Sequence, residues 1–386
     1  MILESSNQSK KIKITFFSVL PPFRGGISSF SLMVIQHLKS SVELVPYTFS
    51  KLYPKILFPG KSQTDNKLKG SFPRIVSTFN PFSYIGARKK LKKSEPDVFI
   101  VNYWMTIFAP MYAFFARGFK DDVLKIALIH NLVPHEKRFF DDYFNRIFLR
   151  RYDSFIVLSE QVKNELLTQK PNASCLLLSH PQYTHFGSPC NKEESRSFLG
   201  IPQKSKVLLF FGLIREYKGL DLLIQAMNFL DESYYLMIAG EIYGDEGTYE
   251  KLISKCKNRN IILKNAYIPD EDVKYYFSAA DLCALPYKKG TQSGVQAVAD
   301  SFSVPVLVSK NGGLHENLDD GKNGFVLNDL HVEKLAQKIQ NIFSGGKIDI
   351  VRDRLNSIKT QKQNEWEKFT EDLLEFIKTE KEKINI

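Results

Sequence analysis

Cysteine is scarce in these 386 residues: Cys175, Cys190, Cys256 and Cys283 stand far apart, with no C-x-x-C pair and no ligand spacing. That pattern excludes a disulfide scaffold and a thiolate zinc site, and describes ordinary reduced thiols. No apolar run approaches the ~18 to 20 residues that span a bilayer, and the opening MILESSNQSKK carries no signal-peptide core, so a cytoplasmic protein is expected. G-x-G-x-x-G is missing, which argues against a nicotinamide cofactor. No cluster of His and carboxylates calls for a metal, and Asp270-Glu271-Asp272 reads as the acidic first turn of a helix, so no metal and no cofactor are expected. Nothing resembles a nucleic-acid-binding motif.

What is present describes a globular chain of two domains. A hydrophobic fraction of 43% with 25% charged residues supplies two cores, and the length exceeds one ordinary domain. The net charge of +11 is lopsided: residues 1–190 hold 26 Lys and Arg against 13 Asp and Glu, and residues 191–386 hold 27 against 29. A basic half can meet nucleic acid, an anionic membrane face or a polyanionic substrate, and charge alone does not choose. Its densest run, Arg88-Lys89-Lys90-Leu91-Lys92-Lys93, reads as one solvated helix face that can also reach lipid headgroups.

The chemistry concentrates between Val207 and Ile224, VLLFFGLIREYKGLDLLI. Val207 to Phe211 is a short apolar run typical of a strand buried on both faces, and Gly212 ends it where the backbone turns closely. Arg215 and Lys218 follow on the loop, and Gly219 opens a helix whose apolar set includes Leu220, Leu222, Leu223, Met227 and Leu230. Two cations at the carboxyl end of a strand, before a helix N-terminus, suit a diphosphate; loop Arg and Lys are also commonly solvated surface charges. A similar layout opens the chain, where the strand KIKITFFSV feeds a turn with Gly25-Gly26 and a helix capped by Ser28 or Ser29. Such a glycine pair serves phosphate binding or plain turn chemistry. His130 falls at the carboxyl end of the strand Lys125 to Ile129, the edge where open α/β sheets bind ligands.

The segment FFGLIREYKGLDLLIQAM resembles the donor-phosphate segment of the family-4 retaining glycosyltransferases. LIHNLVPHE resembles the segment whose first His faces the donor sugar and phosphate, His180-Pro181 resembles the hinge into the second domain, and VPVLVSKNGGLHENLDDGKNGFVL resembles a further family segment. The resemblance implies an α/β chain of GT-B architecture, two doubly wound Rossmann-like domains facing a cleft. Its divisions are 1–180 (acceptor side), a linker at 181–206, a donor domain at 207–360, and a C-terminal helix at 361–386 returning toward the first domain. By the same resemblance His130, Arg215 and Lys218 carry the chemistry. Gly25, Gly26, Glu241, Tyr267, Ile268, Thr291, Gln292, Ser293, Gly294 and Val295 bind the donor, with backbone near Tyr267 and Ile268 flanking the base.

One departure stands out. Family members carry two glutamates eight positions apart, whereas TQSGVQAVA places Thr291 and Ala299 there. A sub-group with a TQSG-type segment looks similar. The expected function is retaining, metal-independent transfer from a nucleotide-sugar to a glycan or lipid-linked glycan, in surface-polysaccharide or lipopolysaccharide-type synthesis, with peripheral contact at an anionic inner membrane face. Two alternatives stay open: a catalytically silent donor-binding subunit, and a nucleotide-sugar 2-epimerase using Glu241 and Glu316.

Overall fold

The computed structural model describes residues 11–53, 62–65, 70–134, 138–183, 185–290, 293–311, 313–361 and 364–384. The first half runs β1 (Lys13–Phe17), α1 (Gly26–Leu38), β2 (Glu43–Lys51), β3 (Arg74–Ser77), α2 (Pro81–Lys93), β4 (Val98–Tyr103), α3 (Ala109–Ala116), β5 (Leu124–Ile129), α4 (Asp141–Leu149), β6 (Ser154–Val157), α5 (Glu160–Gln169) and β7 (Ser174–Leu177). The second runs α6 (Lys192–Phe198), β8 (Lys206–Phe211), α7 (Leu220–Ala226), β9 (Tyr234–Ala239), α8 (Glu246–Lys255), β10 (Ile261–Lys264), α9 (Asp270–Ala279), β11 (Leu282–Leu285), α10 (Gly294–Ser301), β12 (Val306–Ser309), β13 (Phe325–Leu327), α11 (Val332–Phe343), α12 (Lys347–Gln361) and α13 (Glu365–Ile384).

Two parallel sheets result, ordered β3-β2-β1-β4-β5-β6-β7 and β10-β9-β8-β11-β12-β13. Strand order reverses between β1 and β4 in one and between β8 and β11 in the other, which opens a crevice at the carboxyl ends of those strands. This is the GT-B architecture. Strands such as VFIVNY in β4 are buried along their whole length because helices cover both faces. In the first sheet α1 and α13 cover one face, with Phe30, Met33 and Val34 meeting Trp366, Phe369 and Leu373 in one core. On the other face α2 to α5 contribute Leu91, Tyr112, Phe148 and Val162.

Two expectations are corrected. The stretch read as a linker, 181–206, contains α6, and β7 lies just before it. β7 escapes a pattern search because its four residues are all half-buried, and α6 because it is charged rather than apolar. α6 is instead held ionically: the Arg196 guanidinium, almost wholly buried, meets Asp281 Oδ2 at 2.8 Å, and Asp281 also accepts from Val207 N at 2.7 Å. α1 has Gly25, not Ser28 or Ser29, at its cap, without any side-chain capping bond, and Ser28 is buried within the helix. Between Met105 and Phe119 a 3₁₀ turn at Thr106–Phe108 precedes α3, where Pro110 sits at the first turn.

α13 leaves the second half and lies on the first. Trp366 stacks on His37 with ring centroids 5.1 Å apart, Ser154 bonds Glu380, and Lys381 Nζ donates to Asp122 O at 2.9 Å. Burying Trp366, Phe369, Leu373 and Ile377 contributes on the order of 1.5 to 3 kcal/mol each before ordering entropy. Its first turn also pins the crossing chain, as Glu365 accepts from Gln182 N at 3.0 Å and Trp366 Nε1 donates to Gln182 O at 2.7 Å.

Candidate active site

Gly212 ends β8 with φ +87°, and the chain passes Arg215 into a 3₁₀ turn, Glu216–Lys218, before Gly219 starts α7. Gly219 has φ +71°, and a Cβ there would stand 2.1 Å from the carbonyl oxygen of Pro286. Only glycine lets the start of α7 press against the end of β11 this closely. The consequence is that Lys218 is held down, only 9% exposed, rather than solvated. Its Nζ lies 5.4 Å from the Tyr287 ring centroid, and Tyr287 Oη is 3.1 Å from Ser293 Oγ, at the cap of α10. A Cβ on Gly212 would meet Val295 at 3.2 Å and Lys218 Nζ at 4.0 Å. Lys218, Ser293, Gly294 and Val295 are therefore gathered at one place. Burial, and then the neighbouring Arg215 charge, pull the Lys218 ammonium down to about 8. Among the described residues no carboxylate pairs with it.

The opposite wall is the start of α1, where Gly25 has φ +110° and Gly26 begins the helix. Between the two helix starts stands Tyr183, buried, whose Oη is 3.3 Å from Gly26 O and 3.2 Å from His180 Nε2. Its single proton serves one of these at a time. A Cβ on Gly294 would come within 3.4 Å of the same hydroxyl. Two helix N-termini, one from each half, thus meet at Tyr183, and the first amides of a helix have no partner within it.

His130 follows β5, its amide donating to Tyr103 O at 2.8 Å. Its ring meets Phe30 edge-on at 5.2 Å, and Phe30 in turn touches His180 at 4.9 Å. Desolvation, with the nearby His180 second, pulls the His130 imidazole down to about 3, so it is neutral at pH 7. His130 thus joins the Gly26 and Tyr183 side of the crevice.

Arg215 is exposed, its guanidinium 5.0 Å from the Tyr243 ring centroid. Glu241, buried at the carboxyl end of β9, is held by Arg24 at 2.8 Å, and the Arg24 guanidinium also covers the Tyr267 ring at 4.5 Å. This ion pair crosses from the glycine turn of one domain to the strand end of the other. Tyr267 Oη donates to Asp270 at 3.0 Å, while Ile268 is buried in the core. Thr291 and Gln292 lie outside the described residues. Ala299 is fully buried. Glu316 accepts from the amides of Glu160 and Gln161, both at 3.1 Å, capping α5 across the domain boundary.

Arg24, Tyr183 and Tyr287 escape sequence reasoning. Arg24 had a signal, a lone charge immediately before the glycine pair; the two tyrosines sit in segments with no pattern. Among the described residues, no group of three or more His, Cys, Asp or Glu could hold a metal ion, and no helix is long and apolar enough to cross a membrane.

Residues 191–362 match the family described as Glycosyl transferases group 1, and residues 62–174 match Glycosyltransferase Family 4. Together the two matches support a family-4-like glycosyltransferase. Among curated relatives of this chain is the spore coat protein SA of Bacillus subtilis, 25% identical over 80% of this chain and 79% of that one. The D-inositol 3-phosphate glycosyltransferase of Corynebacterium diphtheriae is 29% identical over 36% of this chain and 35% of its own length. Sucrose-phosphate synthase from Thermosynechococcus elongatus superposes with a TM-score of 0.75 at 16% identity, covering 95% of this chain and 98% of that one. HepE from Anabaena, solved with UDP and glucose, gives 0.72 at 16% identity over 94% and 99%. These likenesses show the fold.

Proposed function

We propose that this glycosyltransferase moves a sugar from a nucleotide-diphosphate donor to an acceptor hydroxyl with retention of configuration and without a metal, in the assembly of a cell-surface polysaccharide or lipopolysaccharide-type glycan. The observation that carries the reading is Lys218: a buried ammonium with no carboxylate partner among the described residues, beside the start of α10, is a site arranged for an anion that arrives with the substrate. HepE, solved with UDP-glucose, and WaaG, described as involved in lipopolysaccharide biosynthesis, support a nucleotide-sugar donor and a glycan product.

In this reading Arg215, Lys218 and the amides of Ser293, Gly294 and Val295 receive the charge that develops on the departing diphosphate. Preorganised donors of this kind contribute about 3 to 4 kcal/mol each to the transition state. Gly25 and Gly26 let the α1 N-terminus approach the same group. His130, neutral, offers a hydrogen bond to the donor sugar without adding charge, and the acceptor hydroxyl attacks from the face the leaving group departs.

The silent-subunit reading draws on Ala299, whose burial leaves no room for a ribose-binding carboxylate at that position. The epimerase reading is weaker, because Arg24 engages Glu241 and the α5 amides engage Glu316. A thermal-shift panel of UDP-, GDP-, ADP- and dTDP-sugars, followed by product analysis with the stabilising donor and EDTA present, tests the proposal. A donor at ~100 times its Kd adds about 2.7 kcal/mol to the folded state. A shift without turnover on any acceptor would leave the silent subunit; conversion of the donor alone would leave the epimerase.

A further inference from the structure

The first domain carries an uncovered apolar corner. α2 starts with Asn80 accepting from Phe82 N at 3.1 Å and Pro81 in the first turn. Its inward positions, Ala87 and Leu91, are fully buried against the sheet. Its outward line runs Phe82, Ile85, Lys89, Lys92 and Lys93, at the three- and four-residue spacing of one helix face. That line changes character half-way. Phe82 is 84% exposed and Ile85 51%, and below them come only cations. The helix contains no acidic residue, and among the described residues none of its five cations makes an ion pair; Arg88 lies over the Phe114 ring at 4.3 Å.

Topology places more apolar surface beside Phe82. α2, the 3₁₀ turn at Thr106–Phe108 and α4 follow the carboxyl ends of β3, β4 and β5, so all three begin at the same edge of the parallel sheet. They are laterally packed through α3, as Tyr84 meets Phe115 at 6.2 Å and Tyr112 meets Phe148 at 6.1 Å. At that edge Phe79, Ile107, Phe139 and Tyr143 are exposed, Phe139 almost completely at 98%. This is the edge onto which the crevice opens. Exposed large apolar side chains grouped in this way mark an interaction surface.

We propose that this corner docks on an anionic lipid bilayer, with Phe82, Ile85 and Phe139 entering the headgroup region and Lys89, Lys90, Lys92 and Lys93 lying on the anionic surface. Charge decides the occupant: four lysines of one helix, none ion-paired among the described residues, fit a continuous negative surface, and the aromatic tips fit its apolar margin. If the chain transfers sugar as proposed above, the docking sets the acceptor side of the crevice against the membrane, where a lipid-borne acceptor reaches it.

The test uses the full chain with sedimented vesicles, one set phosphatidylcholine alone and one with about a third phosphatidylglycerol, at about 0.1 M salt and again near 1 M. Binding to the anionic vesicles that collapses at high salt is expected. Lys89→Glu with Lys90→Glu should weaken it by roughly fivefold or more per lysine, and Phe82→Ser with Ile85→Ser should weaken it at about 0.1 M salt although every lysine is kept. All four side chains are exposed, so melting temperature and nucleotide-sugar shift should stay at wild-type values in both variants. No binding by the wild-type chain, or binding indifferent to these substitutions, overturns the proposal. So does a vesicle-free dimer that the Phe82 and Ile85 substitutions dissociate, since a second copy would then be the occupant. Donor binding is read separately, so loss of docking and loss of donor recognition are told apart.

Discussion

Lys218 should destabilise the protein that contains it. Its ammonium falls from 10.5 to about 8, chiefly through burial, which at 1.36 kcal/mol per pH unit corresponds to about 3 kcal/mol of disfavoured charge in the folded state. Lys218→Met keeps the stem and removes the charge, so at pH 7 it should raise the melting midpoint. For a domain of 150 to 250 residues each kcal/mol is about 2 to 4 °C, so a rise of about 6 to 12 °C is expected. Below pH 8 both folded and unfolded chains hold the proton and the penalty is complete. As pH rises from about 8 to 10.5 the folded chain releases its proton first, and the penalty fades. The gap between variant and wild type should therefore narrow over that window. Scanning calorimetry of both proteins at pH 7 and pH 10, with and without the nucleotide diphosphate that stabilises the wild type, measures all of this. The variant should be the more stable apoprotein and should gain nothing from nucleotide. A variant that melts at or below the wild-type temperature at pH 7, or a gap that stays constant with pH, would refute the reasoning.

Arg215→Ala, at an exposed position, should lower turnover at saturating donor by about 10²- to 10³-fold with an unchanged melting temperature, read by steady-state kinetics beside thermal denaturation. Acid should unfold the chain early: His130 is held near 3 by burial, so below its ordinary 6.5 the unfolded chain takes a proton that the folded one refuses, and at pH 5 this removes about 2 kcal/mol. His130→Gln should flatten that part of the stability–pH curve measured in urea. Breaking the Arg24–Glu241 bridge from one side strands a buried partner, so Arg24→Ala and Glu241→Ala should each destabilise by about 3 to 5 kcal/mol, and the double variant by less than their sum in a double-mutant cycle. Gly219→Ala should fail to fold or melt far below wild type, since its methyl would meet the Pro286 carbonyl at 2.1 Å.

The alternation of strands and helices was legible in the sequence because parallel strands buried on both faces are continuous apolar runs, as in Val207–Phe211 and Asp97–Asn102. The cations at 215 and 218 and the glycines at 25, 26 and 294 were legible because they follow such runs. What stayed hidden depends on distant partners. Nothing local says that Lys218 is buried and Arg215 exposed: a glycine's contact with Pro286, nearly seventy positions away, decides it. Glu241 reads as a free carboxylate until Arg24, 217 positions earlier, closes on it. Tyr183 carries no pattern at all, because its role is only to lie where two helix starts meet.

The placement of α13 orders events in time. Ser154 and Glu380 bond across 226 positions, and Trp366 fills the space between Phe30 and His37. During synthesis the first seven strands leave the ribosome long before the helix that roofs them, so the domain begun first is finished last. Until then the outer face of α1 has no cover. The newborn first half therefore carries that apolar face in the open, and a chain interrupted anywhere between β7 and α13 keeps it so.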